Sequence, residues 1–200
     1  MIGGILQSGM RYRPEHKVQI HQKIVRDASQ RVRVEGLTGA AVSAVMRDAG
    51  LTHGGFYKHF GSKDELLMES VREAFREIAD SLAQAAENSP PEVAWKTIVK
   101  AYLSPKHCDH AERGCPLAAL APELARADET MKGKIQEEMT KYKTQMLRFM
   151  PGRRAAEKER NFVVIFSTML GAIAIARILS DPAERSRVLA SAREFLLNSF

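Results

Sequence analysis

Cysteine, aromatic residues and long apolar runs are all scarce in this sequence. It has 2 cysteines among 200 residues, too few for disulfide bonds to hold the fold together, and a reducing, cytoplasmic location is therefore expected. The longest apolar stretch without a charged residue runs from Phe162 to Ala176, which is shorter than the roughly 18–20 residues that span a bilayer. We interpret this stretch as a buried helix and expect no membrane partner.

Signals for β-strands and for catalysis are missing as well. No segment alternates apolar and polar residues with a period of two, and helix-forming residues dominate between the breakers. No carboxylate–histidine spacing, glycine-rich phosphate loop or Ser/His/Asp set indicates an enzyme, and no cofactor is expected. The sequence predicts an all-α fold, with helices over 14–35, 41–49, 52–60, 62–87, 91–103, 116–125, 128–149, 154–179 and 182–198.

Positive charge is concentrated in the first third of the chain. The formal net charge is +6. Residues 1–63 contain 10 Lys and Arg against 4 Asp and Glu, whereas residues 64–200 contain 20 of each sign. This distribution is typical of a small module that binds a polyanion, joined to an electrically neutral body. A chance imbalance among solvated faces is the alternative.

The stretch LTHGGFYKHF, residues 51–60, predicts the second helix of a helix-turn-helix. The preceding helix ends at Gly50, a short turn follows, and Thr52 is the expected N-cap. Phe56 and Phe60 are four residues apart and should anchor this helix to the core. Each glycine at positions 54 and 55 costs a helix roughly 1 kcal/mol, so we interpret the pair as clearance for DNA. A loop continuing from Gly50 is the alternative.

Residues 18–68 resemble the DNA-binding domain of TetR-family transcriptional regulators. The residues that carry the resemblance are AGLTHGGFYKHFGSKDELL (49–67) and VSAVM (42–46). The body resembles a subgroup of the family in which GCPLAALAPELA (114–125) follows an irregular segment. The resemblance implies an N-terminal three-helix helix-turn-helix domain and a C-terminal helical domain that binds an effector and dimerises. The expected division is a flexible extension over 1–13, the DNA-binding domain over 14–61, and the effector-binding and dimerisation domain over 62–200.

By position, the resemblance implies a set of DNA contacts. The phenol of Tyr57 and the ammonium of Lys58 suit phosphate oxygens. Two positions depart from the family pattern: Gly55 replaces a more usual Thr, Ser or Ala, and Ala41 stands where a Ser or Thr usually caps the second helix. One recognition helix reads few bases, so a homodimer on a palindromic double-stranded DNA operator is expected. The implied DNA-binding residues are Ser43, Thr52, His53, Gly54, Gly55, Tyr57, Lys58, His59 and Lys63.

The body is expected to form the dimer and to bind a small molecule. Small and apolar residues in the last two long helices predict a symmetric four-helix interface, although a helix buried in a monomer would have the same composition. The resemblance implies an effector that changes the separation of the recognition helices, so a repressor released by its effector is expected. Candidate interface residues are Phe162, Ile165, Met169, Gly171 and Ala172. Candidate effector-pocket residues, each of which could instead be plain core, are Phe75, Trp95, Tyr102, Met139, Phe149 and Phe166.

The stretch HCDHAERGC, residues 107–115, allows two further hypotheses. His107, Cys108, His110 and Cys115 could bind a metal, but their spacing fits no standard zinc pattern. Cys115 precedes a proline at a predicted helix start, where the helix dipole would lower the thiol pKa and favour a thiol sensor. An inert buried thiol is the alternative for Cys115.

Overall fold

The protein, seen in a computed structural model that describes residues 14–200, is built from helices. The predicted extension over 1–13 lies outside the described residues, and the side chains are described from Glu15 onward. Two 3-10 helices, His53–Lys58 and Ala111–Arg113, lie among the α-helices. The α-helices are α1 Pro14–Gly39, α2 Val42–Asp48, α3 Lys63–Glu87, α4 Ala94–Tyr102, α5 Pro105–Asp109, α6 Pro116–Ala125, α7 Glu129–Leu147, α8 Ala155–Ile178 and α9 Pro182–Ser199.

The all-α prediction is confirmed, and residues 14–200 contain no β-strand. Most predicted helix ends lie within a few residues of the observed ones. Two differences stand out. The helix predicted over 52–60 is a 3-10 helix of 6 residues, and the stretch between the predicted helices 91–103 and 116–125 contains α5 and the Ala111–Arg113 3-10 helix.

The start of α3 has a cap that resembles a capping box, with one change. Ser62 Oγ accepts a hydrogen bond from the Glu65 backbone N–H at 3.1 Å. The Glu65 carboxylate bonds back to the Gly61 N–H at 2.6 Å, one residue earlier than in a standard capping box. This cap fixes the start of α3 directly after the predicted recognition segment.

Apolar side chains form two cores. The small N-terminal core joins α1, α2, the His53–Lys58 helix and the first turn of α3, and the larger core fills the body. Leu66 belongs to the first core and Leu67 to the second, whereas Val32 of α1 already belongs to the body core. Helices α1 and α3 therefore serve both cores. The N-terminal core consists of Ile24, Val25, Ala28, Val45, Met46, Phe56, Phe60 and Leu66.

Arg33 joins the N-terminal helices to the body. Its side chain is fully buried, and it donates hydrogen bonds to the Ser29 carbonyl at 3.0 Å and to the Gly114 carbonyl at 3.1 Å. It also forms an ion pair with Glu77 of α3 at 2.5 Å. A buried arginine is retained at low cost only when its donors are used in this way. Arg33 therefore fixes the orientation of α1 on the body.

Gly36, which directly follows the predicted helix 14–35, is a second point where α1 contacts the body. Gly36 has a φ of 77°, which interrupts the helical conformation inside α1. A Cβ at this position would lie 2.6 Å from Glu123 Oε1, and Glu123 Oε2 accepts a hydrogen bond from the Leu37 N–H at 2.8 Å. The backbone conformation therefore requires glycine here, and a larger residue would also displace the Glu123 carboxylate.

Candidate nucleic-acid interface

The turn between α2 and the His53–Lys58 helix closes in the geometry of a Schellman motif. The Leu51 N–H bonds to the Met46 carbonyl at 2.8 Å, and the Gly50 N–H bonds to the Arg47 carbonyl at 2.9 Å. Gly50 has a φ of 78°, so it adopts the left-handed conformation that this motif needs. The predicted glycine cap of α2 is thus confirmed.

The His53–Lys58 segment, which we call the recognition helix, begins without the predicted cap. Thr52 is in an extended conformation, but its side chain accepts no hydrogen bond from the helix. Two glycines in a helix of 6 residues weaken an α-helix, and the short segment adopts the tighter 3-10 form instead. Tertiary packing must therefore supply most of its stability.

Two phenylalanines anchor the recognition helix to the N-terminal core, as predicted. Phe56 and Phe60 are buried, and their rings stack with centroids 5.4 Å apart. Tyr57 lies between them in sequence but points outward, with 74 % of its surface exposed. Its ring contacts only the edge of Phe56, at 5.2 Å between centroids. An exposed phenol of this size is available to a partner.

Packing within the chain does not explain the glycine pair. A Cβ on Gly54 would meet no atom within 4 Å, and a Cβ on Gly55 would make an ordinary 3.6 Å contact with Met46. Neither residue has a positive φ. Among residues 14–200, side chains would therefore fit at both positions, and clearance for an approaching partner stays the prediction for the glycine pair.

His59 is more buried than expected for a histidine that binds phosphate from an open surface. Its ring is half-buried, and its Nδ1 is enclosed without a hydrogen-bond partner among the described residues. Burial is the main factor that lowers the pKa of His59, and the nearby charge of His21 adds to it. The ring is therefore neutral near pH 7, and we expect only its Nε2 to be able to reach DNA.

His21 links the end of the recognition helix to α3, which the sequence did not predict. Its ring stacks on Phe60 with centroids 4.6 Å apart, and its Nε2 lies 2.7 Å from Glu69 Oε2. It also lies 6.1 Å from the His59 ring. Glu69 follows His21 by 48 residues, so no local spacing could have indicated this contact.

A groove of about 700 Å³ runs beside the recognition helix. Ile20 and Leu51 supply its apolar walls, and Lys17 and Lys58 supply its positive charge. Both lysines are exposed, and neither forms an ion pair within the described part of the chain. Lys17 lies at the start of α1 and was missed as a candidate DNA contact.

Most of the predicted DNA-binding residues are exposed, and four of them, Thr52, Gly55, Lys58 and His59, line the groove beside the recognition helix. Gly55 and His59 are half-buried, and both line the groove beside Lys17. The remaining predicted contacts are exposed: Ser43 on α2, Thr52, His53, Gly54, Tyr57 and Lys58 at the recognition helix, and Lys63 in the first turn of α3.

Five of the six predicted effector-pocket residues belong to or pack against the body core, but only three share ring contacts. Phe75, Tyr102 and Phe166 lie in an aromatic cluster that also includes Tyr142 and Phe162. The other three lie elsewhere. Trp95 is buried against Phe200, Phe149 lies under the guanidinium of Arg148, and Met139 is exposed on α7. Met139 is therefore corrected to a surface residue.

Four of the five predicted dimer residues are buried within the single chain. Phe162, Ile165, Met169 and Ala172 face the body core, where a partner chain cannot reach them. Only Gly171 borders open space, since a Cβ there would meet no atom within 4 Å. This part of the prediction is corrected. The exposed apolar residues of the last two helices are instead Val163, Val164, Ile175, Ile178 and Phe195.

Helix α8 also bears on the expectation of no membrane partner. Within the described range it is the one helix long and apolar enough to cross a membrane, with a mean hydropathy of 1.8 over its best window. The estimate from the sequence was shorter because it used only the stretch without charged residues, whereas α8 extends beyond that stretch at both ends. Core helices of soluble proteins have the same composition, and one face of α8 packs in the body core. The expectation stays a prediction.

Cys115 is not the activated thiol that its position before a helix predicted. It is buried, and burial raises its thiol pKa despite the nearby Tyr102 hydroxyl and backbone N–H groups. Cys108 is also buried, and burial likewise raises its pKa. The predicted lowering of the Cys115 pKa is therefore wrong.

The four candidate metal ligands do not converge. Both ring nitrogens of His107 are occupied: Nδ1 lies 2.6 Å from the Tyr102 carbonyl, and Nε2 accepts a hydrogen bond from the Cys115 N–H at 3.0 Å. His110 is exposed and pairs with Glu112 at 3.0 Å. No group of three metal-ligating side chains is present between residues 15 and 200.

Both matches to known sequences are to bacterial transcriptional regulators. Residues 26–69 match the family described as bacterial regulatory proteins, tetR family. The HTH-type transcriptional regulator LmrA of Bacillus subtilis (strain 168) is 25% identical over 118 residues. That match covers 58% of this chain and 63% of the relative, so the chain spans less than two thirds of the length of this relative.

Solved structures share the fold along nearly the whole chain. A TetR transcriptional regulator from Chloroflexus aurantiacus has a TM-score of 0.75 at 20% identity, covering 92% of this chain and 95% of the other. The reduced form of Escherichia coli NemR has a TM-score of 0.74 at 16% identity, covering 90% and 96%. At these identities the likeness establishes the arrangement of helices.

Proposed function

Since this chain belongs, through its N-terminal domain, to the TetR family of bacterial regulatory proteins, we propose that it is a repressor released by a small-molecule effector. In this proposal the protein acts in the cytoplasm. It binds a palindromic operator as a homodimer, and each subunit inserts one recognition helix into the major groove. The effector then changes the separation of the two recognition helices.

The observation that carries the DNA-binding proposal is the unexplained glycine pair beside an exposed tyrosine. Among the described residues, Gly54 borders open space and Tyr57 is largely exposed. Backbone without side chains can approach a base pair or phosphate closely, and a phenol can donate a hydrogen bond to a phosphate. Lys17 and Lys58 flank the same surface with positive charge. The proposed phosphate contacts are therefore Tyr57, Lys58, Lys63 and, in addition, Lys17.

Exposed apolar residues on α8 support the proposed dimer. Val164, Gly171, Ile175 and Ile178 follow one another at intervals of 7, 4 and 3 residues, which places them on one side of the helix. Ile178 is 83 % exposed, and Phe195 of α9 adds an exposed ring. Isolated exposed apolar residues are common, but a continuous stripe marks an interaction surface. In a symmetric dimer this stripe would pack against its own copy.

Substitution of Tyr57 tests the proposed orientation of the recognition helix. Tyr57→Phe removes only the hydroxyl and should weaken binding to an operator fragment about threefold to tenfold, the range for one lost hydrogen bond. Tyr57→Ala also removes the ring and should weaken binding further. Because the side chain is exposed, neither change should lower the melting temperature appreciably. Fluorescence anisotropy with labelled DNA measures the affinity.

The control is Met139→Ala, which truncates an exposed apolar side chain on α7, away from the proposed interface. It should leave operator affinity unchanged. If Tyr57→Ala binds the operator as tightly as the wild-type protein and with the same salt dependence, the proposed orientation is wrong.

A further inference from the structure

A cavity of about 600 Å³ opens on the body where α3, α4, α5 and the Ala111–Arg113 helix meet. Ligand pockets in proteins typically measure roughly 300–1,000 Å³, so this cavity has room for a small organic molecule. It contains only Tyr102 of the six residues predicted to line an effector pocket. The sequence therefore did not identify this cavity.

The walls of the cavity differ in character. Ile78, Leu82, Ala101 and Tyr102 supply an apolar side. The other side comes from α5 and the Ala111–Arg113 helix, which bring charged and polar side chains to the mouth. A ligand with an apolar part and a polar group at one end would match both sides.

The charge at the mouth is predominantly positive. Lys106 and Arg113 line the cavity, and neither has a carboxylate within ion-pair distance anywhere in residues 15–200. One carboxylate, Glu112, also lines the cavity at 3.0 Å from His110, and its charge offsets part of the positive charge of Lys106 and Arg113. Behind the wall, Arg177 binds only carbonyl oxygens of residues 107 and 108, at 3.0 and 3.1 Å. An anionic group is therefore favoured at this end of the cavity.

The cavity wall is also the segment that holds the DNA-binding helices to the body. His107 lines the cavity and accepts the Cys115 N–H, and Gly114, the residue before Cys115, accepts a hydrogen bond from Arg33 of α1. The same wall is fixed to α8 through Arg177. A ligand that shifts this segment must therefore disturb either the hydrogen bond between Arg33 and the Gly114 carbonyl or the hydrogen bonds from Arg177 of α8.

We propose that this cavity binds an amphipathic organic anion, a molecule with an apolar body and a carboxylate that pairs with Lys106 and Arg113. We infer further that its binding is transmitted to the recognition helix through the hydrogen bond between Arg33 and the Gly114 carbonyl. This second step rests on the proposed function, whereas binding of the anion does not.

Calorimetric titration of the full-length protein with decanoate, decanol and decylamine tests the ligand class. All three probes share one apolar chain and differ in the charge of the head group. Decanoate should bind at least about tenfold more tightly than decylamine. The double variant Lys106→Gln, Arg113→Gln should lower the decanoate affinity about tenfold and leave the decanol affinity unchanged.

The matched control is Lys100→Gln, Arg126→Gln, which removes two exposed cations that do not line the cavity. It should bind decanoate like the wild-type protein. Equal or tighter binding of decylamine would overturn the proposed ligand class. Unchanged decanoate affinity in the Lys106→Gln, Arg113→Gln variant would overturn the proposed site.

Operator binding with and without decanoate tests the transmission step. Decanoate should weaken operator binding by the wild-type protein. The double variant Arg33→Met, Glu77→Leu replaces both members of the ion pair, which preserves folding better than leaving one charge alone. It should still bind decanoate but lose most of the effect on operator affinity.

The outcomes separate the two proposals. If the wild-type protein does not bind operator DNA even without decanoate, the proposed function is contradicted, but the proposed anion site is not affected. An unchanged operator affinity when the wild-type protein is saturated with decanoate would overturn the regulatory step. A full decanoate effect in a folded Arg33→Met, Glu77→Leu variant would show that transmission bypasses Arg33.

Discussion

Gly54→Ala should make the protein more stable and, at the same time, a weaker DNA binder. The new methyl group would meet no atom of residues 14–200 within 4 Å, and Gly54 does not have a positive φ. The substitution therefore adds no strain and reduces the freedom of the unfolded chain, which should raise the free energy of unfolding by about 0.4–1 kcal/mol. For a chain of this length, 1 kcal/mol corresponds to a rise in Tm of roughly 2–4 °C.

The same methyl group should obstruct the complex. If the Gly54 backbone lies against DNA, an added methyl group costs about 1–3 kcal/mol of contact energy, as in an overpacked interior. Operator affinity should therefore fall about fivefold or more at each recognition helix. Anisotropy titration with an operator fragment and a urea unfolding curve measure the two effects on one preparation.

Gly133→Ala is the matched control. Gly133 also borders open space among the described residues, and it lies in the second turn of α7, away from the proposed DNA surface. The control should stabilise the protein by about 1 kcal/mol and leave operator affinity unchanged. Operator affinity of Gly54→Ala within twofold of the wild type would refute the clearance explanation of the glycine pair.

Three other predictions address the dimer, the pH dependence and the thiols. Ile178→Glu places a charge in the exposed apolar stripe and should convert the dimer to monomers in analytical ultracentrifugation, whereas Met139→Glu on α7 should not; a monomeric wild-type protein would contradict the proposed interface. Burial is the main cause that lowers the pKa of His107 from 6.5 to about 4. The unfolded chain binds a proton at this ring more readily than the folded protein does, so this contribution to the free energy of unfolding is fully present above about pH 6.5. It should fall by about 3 kcal/mol as the pH drops to about 4. Urea unfolding should show this loss, and His107→Asn should reduce it. Cys115 should react with iodoacetamide far more slowly in the native protein than in urea; fast native labelling would reopen the thiol-sensing hypothesis.

Local sequence patterns predicted the helices and the anchor of the recognition segment well. Phe56 and Phe60 were assigned to the core from a spacing of four residues, and the Gly50 cap followed from the conformation that glycine allows. These features depend on neighbouring residues only. The 3-10 form of the recognition helix was missed, because composition indicates helical conformation without distinguishing the tighter hydrogen-bonding pattern.

Contacts between distant residues could not be predicted in the same way. His21 meets Glu69 and Phe60, and Arg33 meets Gly114, only because α1 packs against α3 and the 104–115 segment in one particular register. No periodicity within α1 encodes those partners. The cavity lined by Lys106 and Arg113 was missed for the same reason.

Helix α8 shows why the dimer residues were assigned to the wrong face. It is apolar on the side that packs in the core, where Ile165 and Ile173 are buried, and on the side where Ile175 and Ile178 are exposed. A helix that is hydrophobic all round has no amphipathic stripe from which the core side can be identified. Only the positions of the helices packed against it, α4, α5, α6, α7 and α9, determine which face remains free.

Selection of operator DNA from a random library by the full-length protein tests the central claim most directly. The account predicts enrichment of an inverted repeat whose half-sites are separated by about 10–10.5 base pairs or a multiple of it, bound by one dimer and more weakly by Tyr57→Ala. Failure to enrich any sequence, or enrichment of a single unrepeated motif that Tyr57→Ala binds equally well, would contradict it.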